Sequence, residues 1–285
     1  MFKRWMMTLG CALMLMLTAC GKESDTSSPT QAIAPDQADL TFICNVAPNT
    51  LDPQKMSWLH DIRIANALYE PLIRYHLPEV TLEGGVAESW QVSKDKKTYT
   101  FNLRPEAKWR NGDPVTANDF IYAWRRAMLP DFTADYVQLL FCIEGAEEFF
   151  QWRSNQLAKF KPGSSAEVAW GIARERFGQT VGINAPDAHT LVVKLERPTP
   201  YFLELCAFAT FMPNHAKSIE KVLTFDANTG MLQMPAGFWS DPQTLITNGP
   251  YQLAAYRFKQ DMVLTQNPNW WNKSTMRNTS IRQKI

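Results

Sequence analysis

Residues 86–128, VAESWQVSKDKKTYTFNLRPEAKWRNGDPVTANDFIYAWRRAM, contain the clearest structural pattern in this chain of 285 residues. Within them, residues 98–103 alternate polar and apolar side chains. That period of two is typical of a strand that buries one of its faces. Asn111 and Gly112 follow, and this pair predicts a turn. The stretch is therefore predicted to contain a half-buried strand followed by a turn.

A helix is predicted after the turn. Thr116 is a favoured N-cap residue, and Asp119 lies three residues later, where its carboxylate can accept a hydrogen bond from the N-cap N–H group. Pro130 ends the pattern because proline interrupts a helix. The apolar residues between them recur at helical spacing: Phe120, Ala123, Trp124 and Ala127.

Five motifs stand in order along the chain: VAESW (86–90), TYTFNLRPEAKW (98–109), NGDPVTANDFIYAWRRAM (111–128), TNGPY (247–251) and NPNWW (267–271). Together they resemble the signature of the extracellular solute-binding proteins of peptide import systems, the oligopeptide- and dipeptide-binding family of ATP-driven transporters. One such motif alone would carry little weight. Five in the same order make the resemblance specific.

The resemblance implies an α/β fold of the periplasmic-binding-protein-like class II type (cluster C), in which two lobes enclose a ligand. This chain would contain the first lobe and an appended domain, while the second large lobe would be absent. The implied division is residues 40–69, first part of lobe I; 70–213, appended α/β domain II; 214–271, second part of lobe I; and 272–285, start of the crossover to the missing lobe.

The N-terminal residues predict export and anchoring. Residues 1–19 have two early positive charges followed by the apolar run LGCALMLMLTA, the layout of a secretory signal peptide. The tetrapeptide LTAC at 17–20 matches a bacterial lipobox, in which Cys20 is lipidated and becomes the mature N-terminus; an ordinary cleaved signal with an incidental cysteine is the alternative. Residues 20–39 are polar and predict a flexible tether. We expect a periplasmic or extracytoplasmic protein of the cell envelope, attached to membrane lipid through acylated Cys20.

Composition narrows the class of protein further. The net charge is +1 for the whole chain and becomes −1 if Lys3 and Arg4 leave with the signal peptide, so nothing predicts a nucleic-acid partner. Residues 40–285 are numerous and apolar enough to form the cores of two domains. Three cysteines remain after Cys20, namely Cys44, Cys142 and Cys206, so at most one disulfide can form, and the spacing leaves the pairing open.

Local patterns predict further elements: a buried strand at 40–46, helices at 61–68, 141–161 and 166–177, a strand at 189–195, a helix opening at 200–202, an irregular stretch at 225–244, a strand pair within 251–264 and a final strand at 279–285. In the helix at 166–177, the apolar side is predicted to contain Val168, Trp170 and Ile172.

Two features of the sequence indicate whether the protein is an enzyme: a cluster of acidic residues and the absence of common catalytic motifs. Glu144, Glu147 and Glu148 are spaced to share one helix face; such carboxylates can bind metal or transfer protons, although a solvated face is the commoner outcome. The sequence has no zinc-binding His-Glu-x-x-His, no Gly-x-Ser-x-Gly, no phosphate-binding glycine loop and no Cys-x-x-Cys. We therefore predict no enzymatic activity, no catalytic residue, no metal and no cofactor. The enzymatic alternative is a secreted hydrolase built on the same fold, and it would need a nucleophile with a base within reach.

The resemblance also implies the ligand-binding residues. Ser57, Trp58 and Leu59 correspond to one wall of the family's ligand cleft, and Tyr136 occupies the position of a cleft-facing aromatic residue. Asn248 corresponds to the mouth of the cleft. Two alternatives stay open: Tyr136 as a half-buried loop residue and Asn248 as part of a simple Asn-Gly-Pro turn.

The resemblance, together with the N-terminal pattern, implies a lipid-anchored substrate-binding component of an ABC importer. As a monomer, it would capture peptides, oligopeptides foremost, through backbone hydrogen bonds, close about a hinge and deliver the peptide to the permease subunits. Within the family, dipeptides, nickel chelates, haem and cell-wall peptides are other ligand classes. The alternative function is a truncated, non-transporting remnant or structural lipoprotein that retains half of the fold.

Overall fold

A computed structural model describes residues 38–285 of the chain. The strands in these residues are β1 (Leu40–Ile43), β2 (Ile73–His76), β3 (Thr81–Gly84), β4 (Ala87–Val92), β5 (Thr98–Leu103), β6 (Ile183–Asp187), β7 (Thr190–Lys194), β8 (Thr224–Phe225), β9 (Leu232–Gln233), β10 (Tyr251–Arg257), β11 (Asp261–Gln266) and β12 (Ser280–Lys284). The α-helices are α1 (Leu59–Leu68), α2 (Ala117–Ala127), α3 (Ala146–Ala158), α4 (Ala166–Thr180), α5 (Phe202–Leu205) and α6 (Ala216–Glu220). Short 3₁₀ helices lie at Pro53–Lys55, Pro130–Phe132, Val137–Cys142, Ala209–Phe211, Phe238–Ser240 and Lys273–Thr275.

The first four-stranded sheet is antiparallel, with the spatial order β4, β5, β7, β6. The predicted strand at 98–103 is confirmed as β5, in which every second residue is buried. Its apolar face packs in the larger hydrophobic core of the chain, which also contains residues of α2 and α3. Period-two alternation in the sequence thus corresponds to one covered face of this sheet.

Helix α2 begins as predicted. The Asp119 carboxylate accepts hydrogen bonds from the Thr116 backbone N–H (N–O 2.7 Å) and from the Thr116 hydroxyl (3.0 Å). The helix ends at Ala127, before Pro130. Phe120, Ala123 and Trp124 are fully buried, which confirms the predicted apolar side of this helix.

The second four-stranded sheet has the order β1, β12, β11, β10. Strands β10 and β11 pair antiparallel, which confirms the predicted strand pair within 251–264. In the register, Leu253 lies opposite Leu264 and Tyr256 opposite Met262. The predicted C-terminal strand is confirmed as β12, which lies between β11 and β1 and runs parallel to β1. Helix α1 packs on this sheet in a second, smaller core.

The prediction of a buried strand at 40–46 is wrong in burial and in length. Strand β1 covers only Leu40–Ile43, and all four of its residues are exposed. Its apolar composition is that of an interior strand, but it lies at the edge of the second sheet with no element beyond it among residues 38–285. Composition alone does not reveal which faces another element covers.

Two predicted helices need correction. The helix expected from residue 141 begins at Ala146, because Gly145 has a left-handed backbone (φ 71°) and acts as its N-cap. Glu144 therefore precedes the helix and does not share a face with Glu147 and Glu148. In α4, the buried residues are Ala166, Ala173 and Phe177, whereas the predicted apolar residues Val168 and Ile172 are 62% and 48% exposed.

Other predictions have mixed outcomes. The helix expected at 61–68 is confirmed as α1, and the strand expected at 189–195 as β7. The stretch at 225–244 is less irregular than predicted, since it contributes residues to the hairpin of β8 and β9. The signal peptide at 1–19, Cys20 and the tether up to residue 37 lie outside the described residues. Asp39, predicted to end the tether, accepts hydrogen bonds from Thr279.

Candidate functional site

Three predicted ligand-binding residues, Ser57, Trp58 and Leu59, lie where an extended segment enters α1. The Trp58 backbone is extended (φ −99°, ψ 143°), and no side chain within the described chain caps the helix that follows. Trp58 and Leu59 are 61% and 64% exposed. The first turn of a helix has backbone N–H groups without intrahelical partners. This segment can therefore offer a ligand both apolar surface and backbone hydrogen-bond donors.

Tyr136 lies beside the same segment although 79 residues separate it from Ser57. Its hydroxyl donates a hydrogen bond to the Ser57 carbonyl oxygen at 3.4 Å. Its ring meets the Phe208 ring edge-on, with 5.2 Å between the ring centroids. Such aromatic pairs hold both rings in a defined orientation. The fold thus brings together four of the five predicted residues, which form one partly exposed surface; we call Ser57, Trp58, Leu59 and Tyr136 the entry surface.

A buried ion pair fixes the loop that precedes the entry surface. Asp52 lies in that loop and Arg126 on α2, and the two groups form a bidentate pair with N–O distances of 2.8 and 2.5 Å. Both side chains are almost fully buried. Burial disfavours the charged form of Arg126, but the Asp52 carboxylate more than offsets this and raises the pKa of the guanidinium. The geometry of the loop therefore depends on α2.

Gln54 extends this buried network toward Tyr136. Its side-chain amide donates hydrogen bonds to the carbonyl oxygens of Thr210 (3.3 Å) and Met212 (2.9 Å), and its carbonyl oxygen accepts one from Arg126 (3.1 Å). The same segment of chain includes Phe208, which contacts Tyr136. The two sides of the entry surface are thus held by one set of buried polar contacts.

A second ion pair supports the segment that leads to Tyr136. Arg153 on α3 binds Asp131 through two contacts of 3.0 and 2.6 Å, and both side chains are fully buried. Asp131 also accepts a hydrogen bond from the Leu232 backbone N–H at 2.9 Å. Because a buried charge is costly without its partner, this pair fixes the turn at Pro130–Phe132.

Asn248, the fifth predicted residue, lies in the interior of the described chain. It is only 2% exposed, and its amide accepts from the Glu70 backbone N–H and donates to the Glu70 carbonyl, each at 3.0 Å. The Gly249 N–H then donates to the Leu68 carbonyl, and a Cβ at Gly249 would lie 2.5 Å from backbone atoms there. The Asn-Gly-Pro turn therefore binds the backbone at the C-terminal end of α1.

Glu70, two residues after the last residue of α1, is a buried carboxylate in this region. It accepts a hydrogen bond from the Trp270 indole N–H at 3.1 Å and contacts Arg74 at 3.4 Å. Burial raises the pKa of Glu70 to about 7, while Arg74 acts in the opposite direction. With a pKa near 7, the Glu70 carboxyl group changes protonation near neutral pH while it is bound by Trp270 and Arg74.

Sequence reasoning missed Phe208, Asp52 and Arg126. An indication was available for Arg126, because it lies four residues after Tyr122 on the buried side of an amphipathic helix. A charged residue on a buried face requires a buried partner. Nothing local identifies that partner as Asp52, which is 74 residues away.

The acidic cluster is occupied by exposed ion pairs. Glu144 binds Lys194 at 2.7 Å and Glu148 binds Arg176 at 2.6 Å. Within residues 38–285, no group of three or more His, Cys, Asp or Glu side chains is arranged to hold a metal ion. In the same range, Cys44, Cys142 and Cys206 are free thiols, and none of the helices has both the length and the apolar character needed to cross a membrane.

Known proteins match this chain over most of its length. The family described as bacterial extracellular solute-binding proteins, family 5 Middle, matches residues 81–285. The oligopeptide-binding protein OppA of Bacillus subtilis is 32% identical over 97% of this chain and 45% of its own length. The dipeptide-binding protein DppE of the same organism is 29% identical over 98% of this chain and 46% of its own length.

Solved structures give the same result. The substrate-binding domain of an oligopeptide ABC transporter from Bacillus anthracis superposes with a TM-score of 0.69 and 29% identity, covering 86% of this chain and 41% of that one. Haemophilus influenzae OppA in complex with the peptide RPPGFSPFR gives a TM-score of 0.69 and 28% identity, covering 87% and 43%. The chain thus spans less than half the length of these relatives. The expected family and the expected partial α/β fold are both confirmed.

Proposed function

The chain belongs to the bacterial extracellular solute-binding proteins of family 5, and from this premise we propose that it is the substrate-binding component of an ABC importer and captures oligopeptides. Two relatives that match nearly the whole chain are named for oligopeptide and dipeptide binding. We further propose that acylated Cys20 anchors it to membrane lipid, that it acts as a monomer and that it delivers its ligand to permease subunits.

The entry surface is the observation that carries this proposal. The exposed residue Trp58 has an extended backbone that leads into a helix N-terminus. The Tyr136 hydroxyl lies within hydrogen-bond distance of the neighbouring Ser57 carbonyl oxygen. An extended peptide can pair with such a backbone through main-chain hydrogen bonds, irrespective of its own side chains. Trp58 and Leu59 add apolar contact area for the peptide side chains.

Rigidity of the entry surface supports binding. The loop before it is held by the Asp52–Arg126 ion pair, and the segment before Tyr136 by the Asp131–Arg153 pair. A surface that is ordered before the ligand arrives loses less entropy on binding. Family members enclose their ligand between lobes, so we expect residues 38–285 by themselves to bind peptide weakly.

The second candidate function is a non-transporting remnant or structural lipoprotein. This candidate predicts no saturable peptide binding at the entry surface, and the titration below separates it from the first.

The proposed function is tested by titrating the full chain with a mixture of tri- to pentapeptides while following tryptophan fluorescence. We expect saturable binding with a Kd on the order of 1 mM, equivalent to about −4 kcal/mol. Trp58→Ala and Tyr136→Ala should each weaken binding at least about threefold. Val168→Ala changes an equally exposed apolar residue on α4 and serves as the matched control.

Each outcome decides between the proposals. Absence of saturable binding, or binding that both entry-surface variants leave unchanged, would refute peptide capture at this surface. Binding in the low micromolar range would refute the claim that a second lobe is needed for tight binding. Circular dichroism of the variants shows whether the fold is retained.

A further inference from the structure

A cavity of about 430 Å³ is lined by the loop before α1, by the turn at Pro130–Phe132 and by the chain that follows strand β9. Cavities of about 300–1,000 Å³ are typical of sites for small ligands. We call it the β9 cavity. Its lining residues with charged or aromatic side chains are Asp52, Lys55, Arg126, Asp131, Phe132 and Trp239.

Arg126 has a buried donor without a partner. Its two terminal nitrogens bind Asp52 and Gln54, but its Nε–H group has no hydrogen-bond partner among the described residues. The residue is only 2% exposed. Buried donors are nearly always paired, because an unpaired donor has lost its hydrogen bonds to water without replacement. An acceptor that enters the β9 cavity would satisfy this group.

The guanidinium group of Arg126 is held in one orientation. Its Cζ atom lies 4.5 Å from the centroid of the Phe132 ring and 4.9 Å from that of the Trp239 ring. The bidentate pair with Asp52 fixes its terminal nitrogens as well. A donor that is oriented before the ligand arrives loses less entropy on binding.

The two carboxylates that line the β9 cavity have no free oxygen to attract a cation. Asp52 accepts hydrogen bonds from Arg126 at both oxygens and from the Gln54 backbone N–H at one of them. Both oxygens of Asp131 accept from Arg153. Each carboxylate is therefore neutralised by one buried guanidinium.

Lys55 gives the β9 cavity a net positive charge. It is exposed at the cavity, and no carboxylate among residues 38–285 forms an ion pair with it. Because the two buried ion pairs are neutral, the charge of Lys55 is not balanced. The cavity thus has two free cationic donors, Lys55 Nζ and Arg126 Nε. A carboxylate matches them, since each of its two oxygens can accept a charge-assisted hydrogen bond.

The β9 cavity adjoins the entry surface along the chain. Lys55 is two residues before Ser57, and Phe132 is four residues before Tyr136. Two residues of extended chain span at most about 7 Å. An extended peptide on the entry surface therefore needs only about two residues to reach from Ser57 to Lys55.

We propose that the β9 cavity is a subsite for a carboxylate group of the peptide that the entry surface binds. One carboxylate oxygen accepts a hydrogen bond from Arg126 Nε and the other from Lys55 Nζ. The group is supplied by an acidic side chain or by the peptide C-terminus, which share this chemistry. This inference rests on the proposed function, and the test below separates the failure of one from the failure of the other.

The test compares matched tripeptides that differ only in one carboxylate. The full chain is titrated with Ala-Glu-Ala amide against Ala-Gln-Ala amide, and with trialanine against trialanine amide, while heat release is measured. We expect the carboxylate form of at least one pair to bind at least about fivefold tighter, as hydrogen bonds to charged groups allow. The pair that responds identifies the side chain or the C-terminus as the source.

Three variants locate the preference. Lys55→Met removes one donor, and Ala236→Phe places a large side chain in the β9 cavity without changing a charge, because exposed Ala236 lines it. Each should reduce the preference to less than about twofold. Lys94→Met removes an equally exposed lysine near β4 and should retain the full preference. Unchanged circular dichroism shows that the variants fold.

The remaining outcomes overturn the proposal in distinct ways. Equal Kd values within both pairs would refute the subsite and leave peptide capture intact. A preference that survives both Lys55→Met and Ala236→Phe would place the carboxylate elsewhere and refute the subsite as well. Absence of binding by all four peptides would refute the proposed function together with this inference.

Discussion

In the sheet of β4, β5, β7 and β6, the inward residues Phe101, Leu191 and Val193 are fully buried, whereas in the sheet of β1, β12, β11 and β10, Leu40 and Phe42 are 43% exposed. Both sheets contain four strands of similar apolar character. The first is covered by α2 and its neighbours, and the second only in part by α1. Equal hydrophobicity in the sequence thus does not mean equal burial. We call the first sheet with its covering helices the closed region, and the second sheet with α1 the open region.

The two regions are joined by buried polar contacts. Asp52, in the loop before α1, pairs with Arg126 on α2, which packs against the first sheet. Asn248 and Trp270 both bind Glu70, two residues after the last residue of α1. Ser57, Trp58 and Leu59 lie between Asp52 and Glu70 in the chain and belong to the open region. Tyr136 follows the turn that the Asp131–Arg153 pair holds, so the geometry of the entry surface depends on both regions.

The largest expected effect compares the two regions directly. Trp124→Ala should destabilise the chain by about 3–5 kcal/mol, because it leaves a large cavity in the closed region. The Trp124 indole also donates to the Phe211 carbonyl at 2.8 Å, and the orphaned acceptor adds about 1 kcal/mol. Ile43→Ala in the open region should change the unfolding free energy by less than about 0.5 kcal/mol. Urea denaturation measures both, and equal effects would refute the comparison.

The next effect tests the connection between the regions. Arg126→Met leaves Asp52 buried without its cation and should cost about 3–5 kcal/mol in the unfolding free energy. Arg176→Met breaks an exposed pair with Glu148 and should cost less than about 1 kcal/mol.

A double variant sharpens this test. Adding Asp52→Asn to Arg126→Met removes the stranded charge, so the double variant should be more stable than the sum of the two single losses predicts. Strict additivity would show that the two residues do not act as a pair.

Glu70 gives a smaller effect that depends on pH. Its pKa is raised in the folded state, from 4.5 to about 7, so its stabilising contribution is complete at low pH and is lost as pH rises through about 7. The difference corresponds to about 3 kcal/mol of unfolding free energy between pH 4.5 and 7.5. Glu70→Gln should remove this fall with pH, as measured by urea denaturation at several pH values. The exposed Glu88→Gln is the control; a fall that persists in Glu70→Gln would contradict the assignment.

The smallest effect concerns the unpaired donor in the open region. Gln283→Leu replaces an unpartnered buried amide by an apolar group and should leave the stability of the chain unchanged or raise it by up to about 1 kcal/mol. Gln54→Leu, in contrast, removes an amide with three partners and should destabilise by about 1–3 kcal/mol. Thermal denaturation compares the two, and a clear loss of stability in Gln283→Leu would show that its amide is bonded.

The sequence was sufficient where structure depends on neighbouring residues. Strand β5 and the pairing of β10 with β11 follow from a period of two, and the start of α2 from a cap and its partner three residues later. These patterns are local because each depends on contacts within one element or one hairpin. For the same reason the family motifs in 86–128 identified the fold correctly.

The sequence was insufficient where distant elements decide burial. Val168 and Ile172 have the spacing of an apolar face, but α4 turns Ala173 and Phe177 inward. Asn248 matches a ligand-site position, yet the Glu70 backbone uses both of its amide groups. The partner of Arg126 and the exposure of β1 cannot be predicted from the few residues around each of them, because distant elements determine both.

The central claim is that the entry surface is where this chain binds peptide. Hydrogen exchange of backbone amides, measured on the full chain with and without millimolar peptide mixture, tests it most directly. The account predicts that added peptide slows exchange at the amides of Ser57, Trp58 and Leu59, while those of the exposed helix α4 at Val168 stay unchanged. Slowed exchange confined to other segments, or no change at 57–59 at saturating peptide, would contradict it.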